Sequence, residues 1–260
     1  MCLIILAHQC RPGQPLVVAA NRDEFFARPT APARFWQDHP KLLAGQDLEL
    51  GGTWLGITRN GRFAAITNYR DPARTAPAPR SRGELTLDFL LGADSPQAYL
   101  EKIADRADAY AGFNLLLADT DDLWYFSNHG EQTTAGPRAL PPGLYGLSNA
   151  SLDTPWPKVE LGKSRLHAFG NDTPDHAALL TVVNDPQLAS PEALHGQGLT
   201  GEMDQALSAQ FIQAGQYGTR CSTTLWVEES GAINWRETSY DESGAVVGAV
   251  TEAFTLDLQA

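Results

Sequence analysis

Residues 1–25 read MCLIILAHQCRPGQPLVVAANRDEF, and the reading of this stretch decides the fold. Cys2 to His8 is an apolar run rich in Leu and Ile with no polar alternation, as expected of a strand buried on both faces. The Arg11-Pro12-Gly13-Gln14 punctuation predicts a turn, and Pro15 to Ala20 predicts a second strand of the same kind. If the two pair as a hairpin, Cys2 at the start of the first strand lies beside Asn21-Arg22-Asp23-Glu24 at the end of the second. A thiol then meets a guanidinium and two carboxylates.

Outward from this hairpin, two more strands are predicted at 53–59 and 62–68, joined by Asn60-Gly61, a strong hairpin signal. Residues 71–80, rich in Pro, Ala and Arg, read as an exposed loop. Ser81-Arg82-Gly83-Glu84 has capping-box spacing ahead of Leu85, and Ser95-Pro96 opens a second helix. Strands are predicted at 113–118, 123–127 and 144–148, and helices near 158–169, 176–183 and 202–214. Strands close the chain at 223–228, 232–238 and 253–258. No repeat, linker or break in composition interrupts residues 1–260, so one domain is expected. Strand groups followed by helix pairs and more strands predict an α+β architecture, with layered sheets and helices outside.

The chain has 260 residues, with 19 Lys+Arg against 31 Asp+Glu and a formal net charge of −12. That length buries a full core without disulfide or metal staples. A polyanion needs clustered Lys and Arg to release its counterions, so nucleic acid is not an expected partner, nor is an anionic lipid surface. Three cysteines, Cys2, Cys10 and Cys221, are an odd number and too few for a disulfide framework. The apolar run from Leu3 stops at His8, too short for a signal-peptide core or a membrane span. These features predict a cytoplasmic protein with no membrane span. No His-x₃-His or Cys-x₂-Cys spacing signals a metal, and no Cys-x-x-Cys-His signals covalent haem. Gly196-Gln197-Gly198-Leu199-Thr200-Gly201 fits a dinucleotide fingerprint as a bare pattern, but no strand precedes it, and it reads as a chance match.

Met1-Cys2 is the first feature that can carry a reaction. Cys is small enough at the second position to permit removal of the initiator Met, leaving Cys2 as the N-terminus. A terminal Cys combines a thiol with an α-amine of pKa ~7.7–8.0, so nucleophile and base reside in one residue. Arg22 beside it would lower the thiol pKa and favour the thiolate. The plainer reading of Cys2 is a small apolar filler, and that of Asn21–Glu24 a solvated strand end.

Met1-Cys2 followed by Asn21-Arg22-Asp23-Glu24 resembles the Transport and Golgi organisation 2 family, also called the NRDE family. Gly51-Gly52-Thr53-Trp54-Leu55-Gly56, Ile66-Thr67-Asn68-Tyr69-Arg70 and Tyr217-Gly218-Thr219-Arg220 are similar to its motifs. The resemblance runs from residue 2 to about residue 240. It implies an N-terminal nucleophile hydrolase-like fold, a four-layer αββα sandwich of two stacked antiparallel sheets between helical layers. For function it implies no settled reaction, with haem trafficking and lipid or acyl-CoA handling among the proposals. A more distant similarity is to the cysteine N-terminal nucleophile amidases, the bile salt and penicillin V hydrolases. By motif it implies that Cys2 is the nucleophile, Arg22 and Arg220 its two arginines, and Asn68 and Asn149 the asparagines near the scissile amide. Those amidases carry an Asp three residues after the first Arg, where this chain has Phe25. Asp23 is the remaining acid, yet neighbours on a regular strand point to opposite faces. Arg22 and Asp23 both line a site only if the strand ends or bulges between them.

Two functions follow. The first is an amidohydrolase or acyltransferase in which Cys2 attacks a small-molecule amide or acyl group, with no cofactor required. The second is a non-catalytic protein on the same fold, binding and trafficking haem or a lipid-like acyl compound. A blander third is a pseudo-enzyme interaction module. Trp54, Trp124, Trp156, Trp226 and Trp235 suit a core and equally an apolar ligand.

Overall fold

The computed structural model describes residues 2–70, 78–130, 135–172, 175–197, 199 and 201–257. Most of the loop expected at 71–80 lies outside them, as do Met1, Gly198 and Thr200 of the patterns above and Leu258 of the last expected strand. The fold is α+β, with two antiparallel sheets and helices. The chain divides into two compact units, each drawn from separate stretches of sequence.

The first unit takes the chain up to Ala27, then Pro142–Ser148 and Leu152–Ala253. Its hairpin is the one expected: β1 (Cys2–Arg11) turns at Pro12-Gly13 into β2 (Gln14–Phe25). Gly13 supplies the positive φ, 74°, that the turn requires. Leu3 to Ala7 and Val17 to Ala20 are all at most 1 % exposed, so both faces are buried, which is why neither strand alternates in sequence.

In the second unit, a sheet of chain-ordered neighbours begins with β3 (Thr30–Phe35), β4 (Leu42–Asp47), β5 (Leu55–Thr58) and β6 (Phe63–Asn68). Helices α1 (Gly83–Leu91) and α2 (Pro96–Ala104) follow, then β7 (Phe113–Ala118), β8 (Leu123–Ser127) and β9 (Arg138–Leu140). Leu85, Phe89, Leu100 and Ile103 of the helices pack with Leu115, Leu117 and Phe126 of the strands as one apolar core. Ser95 caps α2 as expected, accepting the Ala98 N–H. The capping box expected at Ser81–Glu84 does not form. Arg82 is the N-cap, and the Glu84 carboxylate is taken by Arg80 and the Tyr110 hydroxyl.

The first unit is completed by β10 (Gly143–Leu147) and, among the described residues, the helices α3 (Pro157–Ala168), α4 (His176–Leu180), α5 (Pro191–His195) and α6 (Glu202–Ala206). Strands β11 (Gln213–Ala214), β12 (Tyr217–Val227), β13 (Ala232–Tyr240) and β14 (Val246–Thr255) follow. The sheet order is β10-β1-β2-β12-β13-β14, with β11 on β12. Helix α3 packs on β1 and β10. The approach depends on Gly162, where a Cβ would stand 2.6 Å from Ile5 Cγ1.

Three expectations are corrected. The helix expected at 202–214 stops at Ala206, because Gln213–Ala214 turn through Gly215 to pair with β12. The last strand occupies Val246–Thr255 rather than 253–258, at the sheet edge. Strand β12 starts at Tyr217, six residues before 223, so the Tyr217–Arg220 motif is part of the sheet.

Candidate active site

Antiparallel pairing places Cys2 opposite Arg22, and β12 places Cys221 opposite Arg22 from the other side. Residues directly opposite on neighbouring strands share a face, so Cys2, Arg22 and Cys221 form a row across three strands. Cys2 is 8 % exposed and its backbone carbonyl accepts the Ser148 hydroxyl at 2.9 Å. Arg22 is mostly covered and pairs with Glu24 at 4.0 Å.

Strand β2 has no bulge between Arg22 and Asp23. The irregularity lies across from it: the register on β12 shifts between Thr219 and Cys221, leaving Arg220 as the extra residue. A bulge re-aims the side chain it carries. Arg220 donates to the carbonyls of Phe25 and Phe26 at 2.9 and 3.0 Å and stands 5.4 Å from the Phe26 ring centroid.

The rest of the Tyr217–Arg220 motif grips the end of β2. The Tyr217 hydroxyl donates to the Asp23 carbonyl at 3.0 Å, and the Thr219 hydroxyl donates to Asp23 Oδ1 at 2.7 Å. The same Thr219 oxygen accepts the Ile212 N–H at 2.9 Å. Gly218 lets the Ile212 carbonyl come within 2.6 Å of where a Cβ would be. Asn21 is fully buried: its Nδ2 donates to the carbonyls of Val183 and Gln210, and its Oδ1 accepts the Ser222 hydroxyl. The Asn21–Glu24 segment is therefore a buried anchor at Asn21 and Asp23, not a solvated strand end.

Electrostatics join the two faces of β2 at the end of β1. Burial pushes the Cys2 thiol up and Asp23 adds to it, while the Asp23 N–H and the Arg22 guanidinium pull it down. Arg22 acts in the direction expected from sequence, but burial outweighs it, and the thiol stays protonated without a base. Asp23, 2 % exposed, is raised by burial and drawn back by Lys158, the Thr219 hydroxyl and Arg22. Cys221 is pushed well up by burial, as befits an unreactive packing thiol. Arg220 is lowered by burial and by the like charge of Arg22. The thiol thus has Asp23 and Arg22 acting on it, with Lys158 acting on Asp23, and Arg220 and Glu24 beside Arg22.

The structure brings Cys2, Arg22, Asp23 and Arg220 together in the first unit. Asn68 and Asn149 meet in the second, where Asn149 Nδ2 donates to the Asn68 carbonyl at 2.7 Å and Arg70 N–H donates to the Asn149 carbonyl. Phe25, where the amidases carry Asp, is 57 % exposed and edge-on to Tyr217. Sequence reasoning quoted Tyr217 and Thr219 only as part of a family motif, with no role of their own, and missed Lys158. For Lys158 a signal existed: a lysine in the first turn of a helix opposes the macrodipole. Among the described residues no three His, Cys, Asp or Glu side chains gather as a metal site, and no helix is long and apolar enough to cross a membrane.

Comparison with known proteins agrees with this geometry. A solved variant of the conjugated bile acid hydrolase from Clostridium perfringens superimposes with a TM-score of 0.52 at 10% identity, covering 99% of this chain and 93% of that one. At that identity the likeness is one of fold, the N-terminal nucleophile hydrolase type. The Transport and Golgi organization protein 2 homolog of Homo sapiens is 38% identical over 263 residues, 92% of this chain and 93% of the relative. The Drosophila melanogaster Transport and Golgi organization protein 2 is 30% identical over 65% of each. With a family model matching residues 1–242, a span that includes the Cys2 hairpin and Tyr217–Arg220, the chain belongs to the Transport and Golgi organisation 2 family.

Proposed function

We propose that the protein is a cysteine N-terminal nucleophile hydrolase acting on a small-molecule amide, with Cys2 as nucleophile after removal of Met1. The observation that carries this reading is the register of Cys2 against Arg22, with Asp23 buried beside the same thiol. A buried thiol held in its protonated form needs a base within reach, and the α-amine of a terminal Cys2 is such a base. The α-amine takes the thiol proton, and the sulfur forms a bond to the acyl carbon. The carbon–nitrogen bond breaks, and the amine leaves with that proton. Water then attacks the thioester, the carbon–sulfur bond breaks, and the acid is released as the thiol regains a proton. Arg22 stabilises the thiolate, and Asp23 holds the α-amine. Arg22 and Arg220, two half-buried like charges acting on one another, favour a substrate bearing an anionic group.

The test is turnover of acyl amides with anionic amine portions by the native chain and by Cys2→Ala. Turnover that Cys2→Ala abolishes supports the reading. A native chain that hydrolyses none of them, yet shifts the haem Soret band with and without Cys2, would overturn it in favour of a carrier.

A further inference from the structure

Among the described residues β3, β9, β10 and β14 lie at the ends of the two sheets. Three of them are defended against pairing with another chain. β3 carries Pro32 and Arg34, with a register shift between Ala31 and Arg34. β9 is three residues long and opens on Arg138. β10 is five residues long and has α3 packed on it. Proline, positive charge, irregularity, shortness and cover are the ways in which a sheet edge avoids adding a foreign strand.

β14 has none of them. It runs for ten residues, VVGAVTEAFT from Val246 to Thr255, with Glu252 as its one charged side chain and no Lys, Arg or Pro. Val246 and Val247 are 63 % and 64 % exposed, the highest values among the large apolar side chains. Successive strand residues point to opposite faces, so both faces of β14 are open at that end. No strand among the described residues pairs with its far edge. A long, apolar, exposed edge of this kind is a template for another strand.

Gly248 indicates where that strand lies. Glycine inside a strand weakens it and marks a bend, a bulge or the close approach of another backbone. Gly248 is not among the glycines of positive φ, and a Cβ built on it meets nothing within 4 Å. Neither its own conformation nor a contact among the described residues calls for glycine there, which leaves the approach of a second molecule.

We propose that β14 pairs with β14 of a second copy of this chain, antiparallel about a two-fold axis at Gly248. In that register Val246 meets Val250 of the partner subunit on one face, and Val247 meets Ala249 of the partner subunit on the other. Apolar side chains thus oppose one another on both faces. Glu252, four positions from the axis, stays roughly 27 Å from its counterpart, well beyond the Debye length of about 8 Å at physiological salt. The net charge of −12 on each copy is screened over the same distance. A two-fold pairing occupies the edge of both copies, so assembly closes at the dimer.

Light scattering after size exclusion tests this on the native chain at about 100 μM in ~0.15 M NaCl, where a Kd of tens of micromolar still populates the dimer. The expected mass is twice the 28.2 kDa of one chain. Val246→Lys combined with Val247→Lys puts a charge on each face of the edge and returns the mass to that of one chain. Its thermal midpoint at about 1 μM stays within ~2 °C of the native one, as for exposed positions. Gly248→Cys in a Cys10→Ser chain reads the register. Opposed Cα atoms about 4.5–5.5 Å apart are within disulfide reach, so oxidation gives a covalent dimer, whereas Thr255→Cys in the same chain does not. A native chain that is monomeric at about 100 μM overturns the inference, also where hydrogen exchange finds the β14 amides protected, because some other strand then covers the edge. A dimer that survives the double substitution, assemblies larger than two, or equal cross-linking from positions 248 and 255 overturn it as well.

Discussion

Thr219→Val removes one oxygen and keeps the shape of the side chain. Thr219 is 1 % exposed, and its hydroxyl is shared between Asp23 Oδ1 and the Ile212 N–H. Valine leaves the amide without its acceptor and the carboxylate short of a donor, at about 1–3 kcal/mol for each buried group left unsatisfied. A loss of about 3–4 kcal/mol follows, or roughly 6–16 °C in thermal midpoint at this chain length. Thr219→Ser keeps the hydroxyl and gives up one methyl, for about 1 kcal/mol. The pH dependence separates the two partners. The hydroxyl is one of the groups drawing Asp23 down, so without it the carboxyl rises further. A carboxyl whose folded value lies above its unfolded one, ~3.9, stabilises the fold as pH falls toward that value. The deficit of Thr219→Val is therefore smaller at pH ~5 than at pH ~8. Thermal melts of both variants at these two pH values decide the matter. Equal midpoints for Val and Ser, or a deficit independent of pH, would refute the reasoning.

Three further outcomes are expected. Gly162→Ala lowers stability by about 1–3 kcal/mol through overpacking against Ile5, and combining it with Ile5→Val costs less than the sum of the two, read by thermal melts. Cys221 is raised well above the ordinary thiol range, so its contribution is complete below the unfolded value of ~8.5 and is lost as pH rises through the folded one. Cys221→Ala accordingly melts with a weaker dependence on pH above ~8.5 than the native chain. Asn149→Ala removes the hydrogen bond to the part-buried Asn68 carbonyl and lowers stability by about 0.5–1.5 kcal/mol in urea titrations.

The parts of the fold legible in sequence were those whose packing leaves a one-dimensional trace. β1 and β2 are buried on both faces and read as apolar runs, and β5–β6 announce themselves through Asn60-Gly61, with Gly61 at φ 83°. β3 was invisible because Pro32 argues against a strand; as an edge strand with a register shift between Ala31 and Arg34 it tolerates the proline. β14 was misplaced because an exposed edge strand, with Val246 and Val247 more than 60 % exposed, carries no buried-face signal. At the site, Cys2 facing Arg22 follows from hairpin register alone. How Asp23 and Arg22 serve one thiol from opposite faces does not, since it depends on Cys2 ending its strand and on the Arg220 bulge in a strand almost two hundred residues away. Lys158 lies on a helix whose seat on β1 is set by Gly162, a relation between distant residues that spacing does not encode.

The central claim is that Cys2 is a terminal nucleophile, and the most direct measurement is the mass of the native chain before and after a thiol-directed activity probe. The account predicts a mature chain that has lost Met1 and carries one probe at Cys2, with Cys10 and Cys221 unmodified. A chain that retains Met1 and shows no preference for Cys2 would contradict it.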